Sequence, residues 1–319
     1  MTHRILVSDN LSEQGLDVIR NRDGFTLDYR PGLGDGLAEA LVGAAGLVIR
    51  SGSKVTADTL AGATALRCIA RAGIGVDNID VAAADAQGVV VMNTPFGNAI
   101  TTAEHTLAML MAVSRNIPQA TASMKAGRWE KKKFGGRELY EKTLGVIGLG
   151  NIGRLVARRA QGLDMNVIGF DPMVGSPGET EPETGVRLVA LATLWAESDY
   201  ITVHTPLNEA TRHLVSDDTI AAMKRGVFLV NVARGGIFDE DAVLRGLESG
   251  QVGGCAIDVY PEEPPPPERR GLIAHDRCIA TPHLGASTAE AQVRVAVQAC
   301  EQVVAHLETG AIKNRITRT

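Results

Sequence analysis

Three charged or ionisable side chains stand at the ends of separate apolar runs: Arg234 in VNVARGG, Glu263 in AIDVYPEEP and His283 in ATPHLGAST. Histidine titrates near neutrality, so His283 is the candidate for moving a proton. A carboxylate beside the ring would raise its proton affinity and fix its orientation. Glu263 suits that task, although the adjacent Glu262 is an equal choice from sequence. Arg234 offers a permanent charge with forked donors, matched to a carboxylate or a developing carbonyl oxygen in a way that lysine is not. The three together could take the proton of a hydroxyl group while a hydride leaves the same carbon. Each also has a plainer role: Arg234 as a cap or interface residue, Glu263 as a loop carboxylate, His283 as a structural histidine. Three segments imitating one mechanism by chance is a much rarer event. His105, His204 and His213 have weaker cases, with His204 placed at a strand end.

A hydride needs an acceptor, and the segment KTLGVIGLGNIGRLVARRA supplies the place for one. An apolar strand leads into Gly148, Gly150 and Gly153 in G-x-G-x-x-G spacing, followed by an amphipathic helix. Gly148 allows the tight turn, Gly150 lets backbone approach a pyrophosphate at the helix N-terminus, and Gly153 lets the helix pack close to the strand. A second apolar run, NVIGF, ends at Asp171, 21 residues after Gly150. A carboxylate there accepts hydrogen bonds from ribose hydroxyls and repels a 2′-phosphate, so NAD is favoured over NADP. The alternative makes the glycines an ordinary turn and Asp171 a turn residue before Pro172.

The elements that must carry these groups read as alternating strands and helices. Apolar runs occur at Ile5–Val7, Gly46–Ile49, Cys68–Ala70 and Val89–Met92, and again at Leu144–Gly148, Val167–Phe170, Ile201–His204, Phe228–Val232, Cys255–Val259 and Cys278–Ala280. Near-continuous apolar runs belong to parallel strands covered on both faces. The helical pattern from Asn98 to Asn116 separates the two series and reads as a helix joining two domains. A last helix over Ser287–Leu307, with Ser287 as N-cap and Glu290 completing a capping box, returns the chain toward the first domain. Pro264 to Pro267 reads as an extended surface loop. The expected domains are therefore 1–97 with 287–319, and 98–286.

Composition sets outer bounds. The chain has 319 residues, 45% hydrophobic and 22% charged, with a formal net charge of −5. That length exceeds what a single core usually serves. The charge gives no field for gathering nucleic acid or an anionic membrane. No apolar run is long enough to span a bilayer, and the N-terminus lacks the pattern of a signal peptide. The four cysteines have no metal-ligand spacing and sit in apolar contexts, which reads as buried reduced thiols in the cytoplasm; no metal is expected.

With these motifs together, the chain resembles the D-isomer-specific 2-hydroxyacid dehydrogenase family along nearly its whole length. The resemblance implies two Rossmann-like, doubly wound parallel-sheet α/β domains: a flavodoxin-like substrate domain and an NAD-binding domain. It implies that Arg234 binds and polarises the substrate, that His283 is the acid/base and that Glu263 is its partner. It places NAD contacts at Asn151, Ile152, Asp171, His204, Thr205, Pro206, Val232, Ala233, Arg234, Asp258, His283, Gly285 and Ala286. The segment RAGIGVDNID resembles the one whose amides hold the substrate carboxylate, which places Ile74, Gly75 and Val76 at the site; the paired glycines suit an amide nest. Many family members have threonine where this chain has Ile74.

VIRSGSKVTADTL, NTPFGNAITTAEHTLAMLMAVSRNIPQA and GRWEKKKFGGREL further resemble a branch of the family acting on a phosphorylated hydroxy acid. Such a substrate needs extra cations, available as Arg50, beside Ser51, as Arg71, and in the run Lys131–Lys133, which could equally be a solvated loop. The resemblance also implies a homodimer built around the helix from Asn98. With the chain ending shortly after its last helix, no feedback through a C-terminal serine-binding domain is expected. Two other readings stay open: a glyoxylate or hydroxypyruvate reductase without phosphate-binding cations, and an NADH-sensing, corepressor-like binding protein on the same scaffold.

Overall fold

All pairings between the named strands are parallel, which places the loops that follow them along one edge of each sheet. The computed structural model describes residues 2–317, so the outermost ends of the expected first domain, Met1 and residues 318–319, lie outside the described residues. Contacts divide the chain into two compact units. One holds the residues up to Ala99 with those from Ala286 onward, and the other is Ile100–Gly285.

The first unit contains β1 (His3–Val7), β2 (Phe25–Tyr29), β3 (Gly46–Ile49), β4 (Cys68–Arg71) and β5 (Val90–Asn93), in the order β2-β1-β3-β4-β5. That order is the flavodoxin-like one, with its reversal between β1 and β3. Two apolar cores flank the sheet. One gathers Ile5, Val48 and Ala70 with Val295, Ala299 and Val303 of the last helix, and the other gathers Leu6, Leu47 and Ile69 with Leu41 and Leu60. The sequence hides β2 because it lies at the sheet edge. Its FTLDY reads polar at every second position, and no residue in it is fully buried.

The last helix runs Ala289–Thr309, two residues later than expected, with Thr288 and not Ser287 as N-cap. Thr288 holds an extended conformation, φ −122° and ψ 154°, and its hydroxyl accepts from the Ala291 amide at 3.2 Å. A cap needs that geometry, which a pattern of residue types cannot specify to within one position.

The second unit contains β6 (Thr143–Ile147), β7 (Asn166–Phe170), β8 (Arg187–Leu188), β9 (Tyr200–Val203), β10 (Val227–Asn231), β11 (Val252–Ile257) and β12 (Cys278–Ala280), in the order β12-β11-β10-β9-β6-β7-β8. This is the dinucleotide-binding order extended by one strand, with the reversal between β6 and β9. Gly148, His204, Val232 and Val259, placed inside strands by the apolar runs, stand one or two residues past the strand ends. Pro267 opens a single 3-10 turn, Pro267–Arg269, where its missing N–H is not needed; Pro266 before it is extended. The helix before β6 spans Ala99–Ser114, and among the described residues no helix is long and apolar enough to cross a membrane. Cys68, Cys255, Cys278 and Cys300 are all buried and free.

Candidate active site

At the head of β6 the glycine turn has the steric demands its spacing implies. Gly148 takes φ +90°, and a Cβ there would lie 2.8 Å from the His204 backbone carbonyl. A Cβ on Gly153 would lie 1.9 Å from the Gly148 oxygen, so the helix Asn151–Gln161 can seat this close only with glycine. Gly150 faces open space and, as N-cap, brings no side-chain acceptor to the first-turn amides. A phosphate is the natural acceptor for such amides. The Asp171 carboxylate accepts from the Leu149 amide at 2.8 Å and the Met173 amide at 2.9 Å. With about four acceptor positions on a carboxylate, this fixes the group at the end of β7 and leaves capacity for hydroxyl donors.

Across the reversal, His204 and Thr205 follow the end of β9. The His204 ring meets the Thr202 hydroxyl through Nε2 at 3.0 Å, while His204 Nδ1 and Thr205 Oγ1 are buried without a hydrogen-bond partner among the described residues. Buried polar atoms are nearly always paired, so two orphans beside the glycine turn fit a polar ligand such as a dinucleotide. Burial pushes the His204 pKa from 6.5 down to about 3.

The loop after β10 presents Arg234. Asn231, buried at the strand end, accepts from the Ala233 amide at 3.0 Å and donates through Nδ2 to the Arg234 carbonyl at 2.9 Å. The next residue, Gly235, lies so close to the loop after β11 that a Cβ would come within 1.9 Å of the Tyr260 carbonyl carbon. Sequence reasoning missed both residues. The signals available for them were an asparagine closing an otherwise apolar strand and the glycine pair after Arg234.

His283 follows β12 and takes φ +53°, a left-handed conformation that costs a non-glycine residue energy and must be held by its surroundings. The holding group is Asp258, 0% exposed at the end of β11. Its carboxylate accepts from the Thr281 hydroxyl at 2.5 Å, the Leu284 amide at 2.7 Å and the Gly285 amide at 2.7 Å. Burial alone would push this carboxyl up, but these donors together with His105 outweigh it and hold the pKa below its usual value. Asp258 thus works here on the loop that carries His283.

His283 Nδ1 stands 2.7 Å from Glu263 Oε2, and Glu263 Oε1 accepts from the Tyr260 amide at 3.2 Å. It is therefore Glu263, rather than Glu262, that meets the ring. Burial pushes the Glu263 carboxyl up, yet the hydrogen bond and charge of His283 prevail and leave it below its ordinary value. Both side chains are half-exposed. The pair borders a cavity of about 480 Å³ lined by Tyr260, Pro264, Pro265, Arg270 and Ile273 among others.

In the first unit the loop after β3 is pinned from two sides. Buried Asp9 accepts from the Arg50 amide at 2.5 Å and the Ser53 hydroxyl at 2.9 Å, while Asn78 donates to the Arg50 and Ser53 carbonyls at 2.7 and 2.6 Å. The Arg50 guanidinium donates to the Asn10 carbonyl at 3.1 Å, and its pKa is lowered by burial against the pull of Asp9. Arg71 ends β4. The loop after it is tied by Asn93 to the Ile74 carbonyl at 2.6 Å and by the Thr94 hydroxyl to the Gly73 amide at 2.8 Å. Among the described residues no protein acceptor takes the amides of Ile74, Gly75 or Val76. Lys131–Lys133 form one exposed 3-10 turn in the second unit.

Fold and site in the second unit define a dinucleotide-binding α/β domain. Residues 107–285 match the family model "D-isomer specific 2-hydroxyacid dehydrogenase, NAD binding domain", and the chain belongs to that family. It is 47% identical over 313 residues to the human D-3-phosphoglycerate dehydrogenase, covering 97% of this chain and 58% of the human protein. The chain therefore spans little more than half the length of the curated relatives it matches. Among solved structures, the TT0316 protein of Thermus thermophilus superposes with a TM-score of 0.89 at 33% identity, covering 98% of this chain and all of that one. A glyoxylate reductase from Paecilomyes thermophila gives 0.89 at 28% identity, covering 99% and 98%.

The His204 ring gives a pH signature. Between about 6.5 and about 3 the unfolded chain takes up a proton that the folded ring refuses, so folding stability falls as the pH drops through that window. Urea midpoints compared at pH 7 and pH 5 should fall less in His204→Gln than in the unchanged protein. An equal fall in both would mean that this ring takes its proton in the folded state.

Proposed function

We propose that this protein oxidises D-3-phosphoglycerate to 3-phosphohydroxypyruvate with NAD, or runs the reverse reaction, the first step toward serine. The observation that carries the chemistry is the 2.7 Å pair of His283 Nδ1 and Glu263 Oε2 on the same sheet edge as Arg234 and the glycine turn. The identity to D-3-phosphoglycerate dehydrogenases supports the substrate.

NAD supplies the carbon that accepts the hydride. Its holders would be Gly148, Gly150, Asn151, Ile152 and Gly153 at the turn, Asp171 for the ribose hydroxyls, and His204, Thr205 and Pro206 after β9. Val232, Ala233, Asp258, Gly285 and Ala286 complete the set through the loops after β10, β11 and β12. The orphaned His204 Nδ1 and Thr205 Oγ1 support this assignment.

With Nδ1 engaged by Glu263, the His283 ring has Nε2 left for the substrate hydroxyl. It takes that proton as the hydride departs, and the ionised Glu263 stabilises the imidazolium. Arg234 holds the substrate carboxylate and stabilises the growing carbonyl. In the first unit the amides of Ile74, Gly75 and Val76 hold a carboxylate, while Arg50, Ser51 and Arg71 answer a phosphate. We assign residues up to 97 with those from 287 to the substrate domain and 98–286 to the NAD-binding domain. Four free, buried thiols fit a reducing cytoplasm.

A homodimer built around the helix Ala99–Ser114 is part of the reading, because Ile100 and Met111 on it are 44% and 37% exposed. Sedimentation equilibrium should return twice the 33.7 kDa chain mass, and a monomer at micromolar concentration would remove this part.

Absorbance at the NADH band tests the substrate. The phosphorylated pair should be turned over in strong preference to hydroxypyruvate and glyoxylate, and NAD used in preference to NADP. Equal or better rates with the unphosphorylated acids would move the protein to the glyoxylate or hydroxypyruvate reductases and strip Arg50 and Arg71 of their phosphate role. Tight NADH binding with no turnover of any acid would leave a cofactor-sensing protein. His283→Ala should lower kcat by about two to four orders of magnitude while sparing NAD affinity, as loss of an acid/base does. Undiminished turnover would overturn the assignment.

A further inference from the structure

His105 lies on the helix Ala99–Ser114, and its side chain is mostly covered. Its Nε2 is 3.2 Å from Thr281 Oγ1 and 3.4 Å from Asp258 Oδ1. The Thr281 hydroxyl has one proton, and it is committed to Asp258 Oδ1 at 2.5 Å. Toward the histidine, Thr281 Oγ1 can then only accept, so His105 Nε2 must carry a hydrogen. That fixes the tautomer, and the same N–H reaches the oxygen pair at the centre of the clamp. Asp258 in turn takes the amides of Leu284 and Gly285, the two residues after His283, while the His283 amide donates to the Thr281 carbonyl at 3.0 Å. One imidazole N–H therefore backs the Thr281–Asp258 oxygen pair from which the segment carrying His283 in its left-handed conformation is held.

We infer that His105 is a positioning residue for the proton-transfer step: through Asp258 and Thr281 it holds the Thr281–Gly285 segment so that His283 meets Glu263. A buried carboxylate needs its donors, and removing one partner leaves charge uncompensated. The cost falls on the group with least else to hold it, here a loop containing a strained residue. Leucine at position 105 would fill the space without donating. Glutamine would return an N–H donor of similar reach.

The inference rests on the dehydrogenase reading, and the test separates the two. Full-length His105→Leu and His105→Gln are compared with the unchanged protein by steady-state kinetics, NADH affinity and hydrogen exchange at the Leu284 and Gly285 amides. His105→Leu should lose about ten- to a hundredfold in kcat, as expected when a reacting group is misplaced, with a smaller weakening of the NADH Kd through Asp258 and Gly285. Exchange at both amides should rise at least about tenfold, and His105→Gln should restore both readouts. Unchanged kcat and exchange in a folded His105→Leu would overturn the inference. So would a loss that His105→Gln fails to restore. If the unchanged protein turns over no hydroxy acid, the dehydrogenase reading fails. The exchange measurement still decides whether His105 holds the loop.

Discussion

A carboxylate with no access to water organises the sheet edge on which Arg234, Glu263 and His283 stand. An uncompensated charge in such a place would cost several kcal/mol, and Asp258 avoids that cost only by collecting Thr281, Leu284, Gly285 and His105 around it. Those donors bracket His283 on both sides, so satisfying the charge and shaping the loop are the same event. Further links follow from the same strand end. The Tyr260 hydroxyl donates to the Thr281 carbonyl at 2.9 Å, and its amide orients Glu263. Gly235 presses on the Tyr260 backbone, and the Asp258 amide donates to the Asn231 carbonyl at 3.0 Å. Asn231 in turn fixes the Arg234 carbonyl. The proposed acid/base, its partner and the proposed anion-binding arginine thus share one rigid frame, which is what pre-organised chemistry requires.

That frame can exist because each sheet is parallel. Apolar strands covered on both faces cannot slip without exposing a core, so their ends stand in a fixed row and the loops after them inherit that order. In the second unit the row offers the glycine turn, Asp171, His204, Arg234, Asp258 and His283. In the first it offers Asp9, the Arg50 loop and the Arg71–Val76 loop. Each reversal of strand order opens a crevice where such folds bind ligands. The orphaned polar atoms lie at one reversal, and the Asp9 clamp on Arg50 lies at the other.

Much of this was legible in the sequence wherever a steric rule leaves one residue type. Gly148 and Gly153 could be read because a positive φ and a 1.9 Å approach exclude any Cβ, and buried strands could be read because both faces are apolar. The histidine, glutamate and arginine stood out because ionisable groups are rare at the ends of such runs. The rest depends on distances that no spacing encodes. Glu262 and Glu263 sit in an irregular loop without period, and only the Tyr260 amide and the His283 ring distinguish them. Asn231 and Gly235 serve neighbours close in space across separate strands. Asp258 could be suspected of belonging to the site, but its task of holding the next loop is invisible until Leu284 and Gly285 are seen against it.

Electrostatics divides the labour between the units. A chain of net charge −5 repels an anion at long range, so an anionic substrate must be met by cations whose local field exceeds the average. Arg50 is held in partly desolvated surroundings, where a guanidinium keeps its charge and interacts more strongly than at a wet surface. It stands on a loop fixed by Asp9 and Asn78 and supported by a core separate from that of the second unit. The first unit's loops therefore rest on a frame separate from the one that holds the His283–Glu263 pair. Each unit holds its own row of loops on its own core, so the glycine turn stands in one short motif while the first unit's cations are spread over several loops.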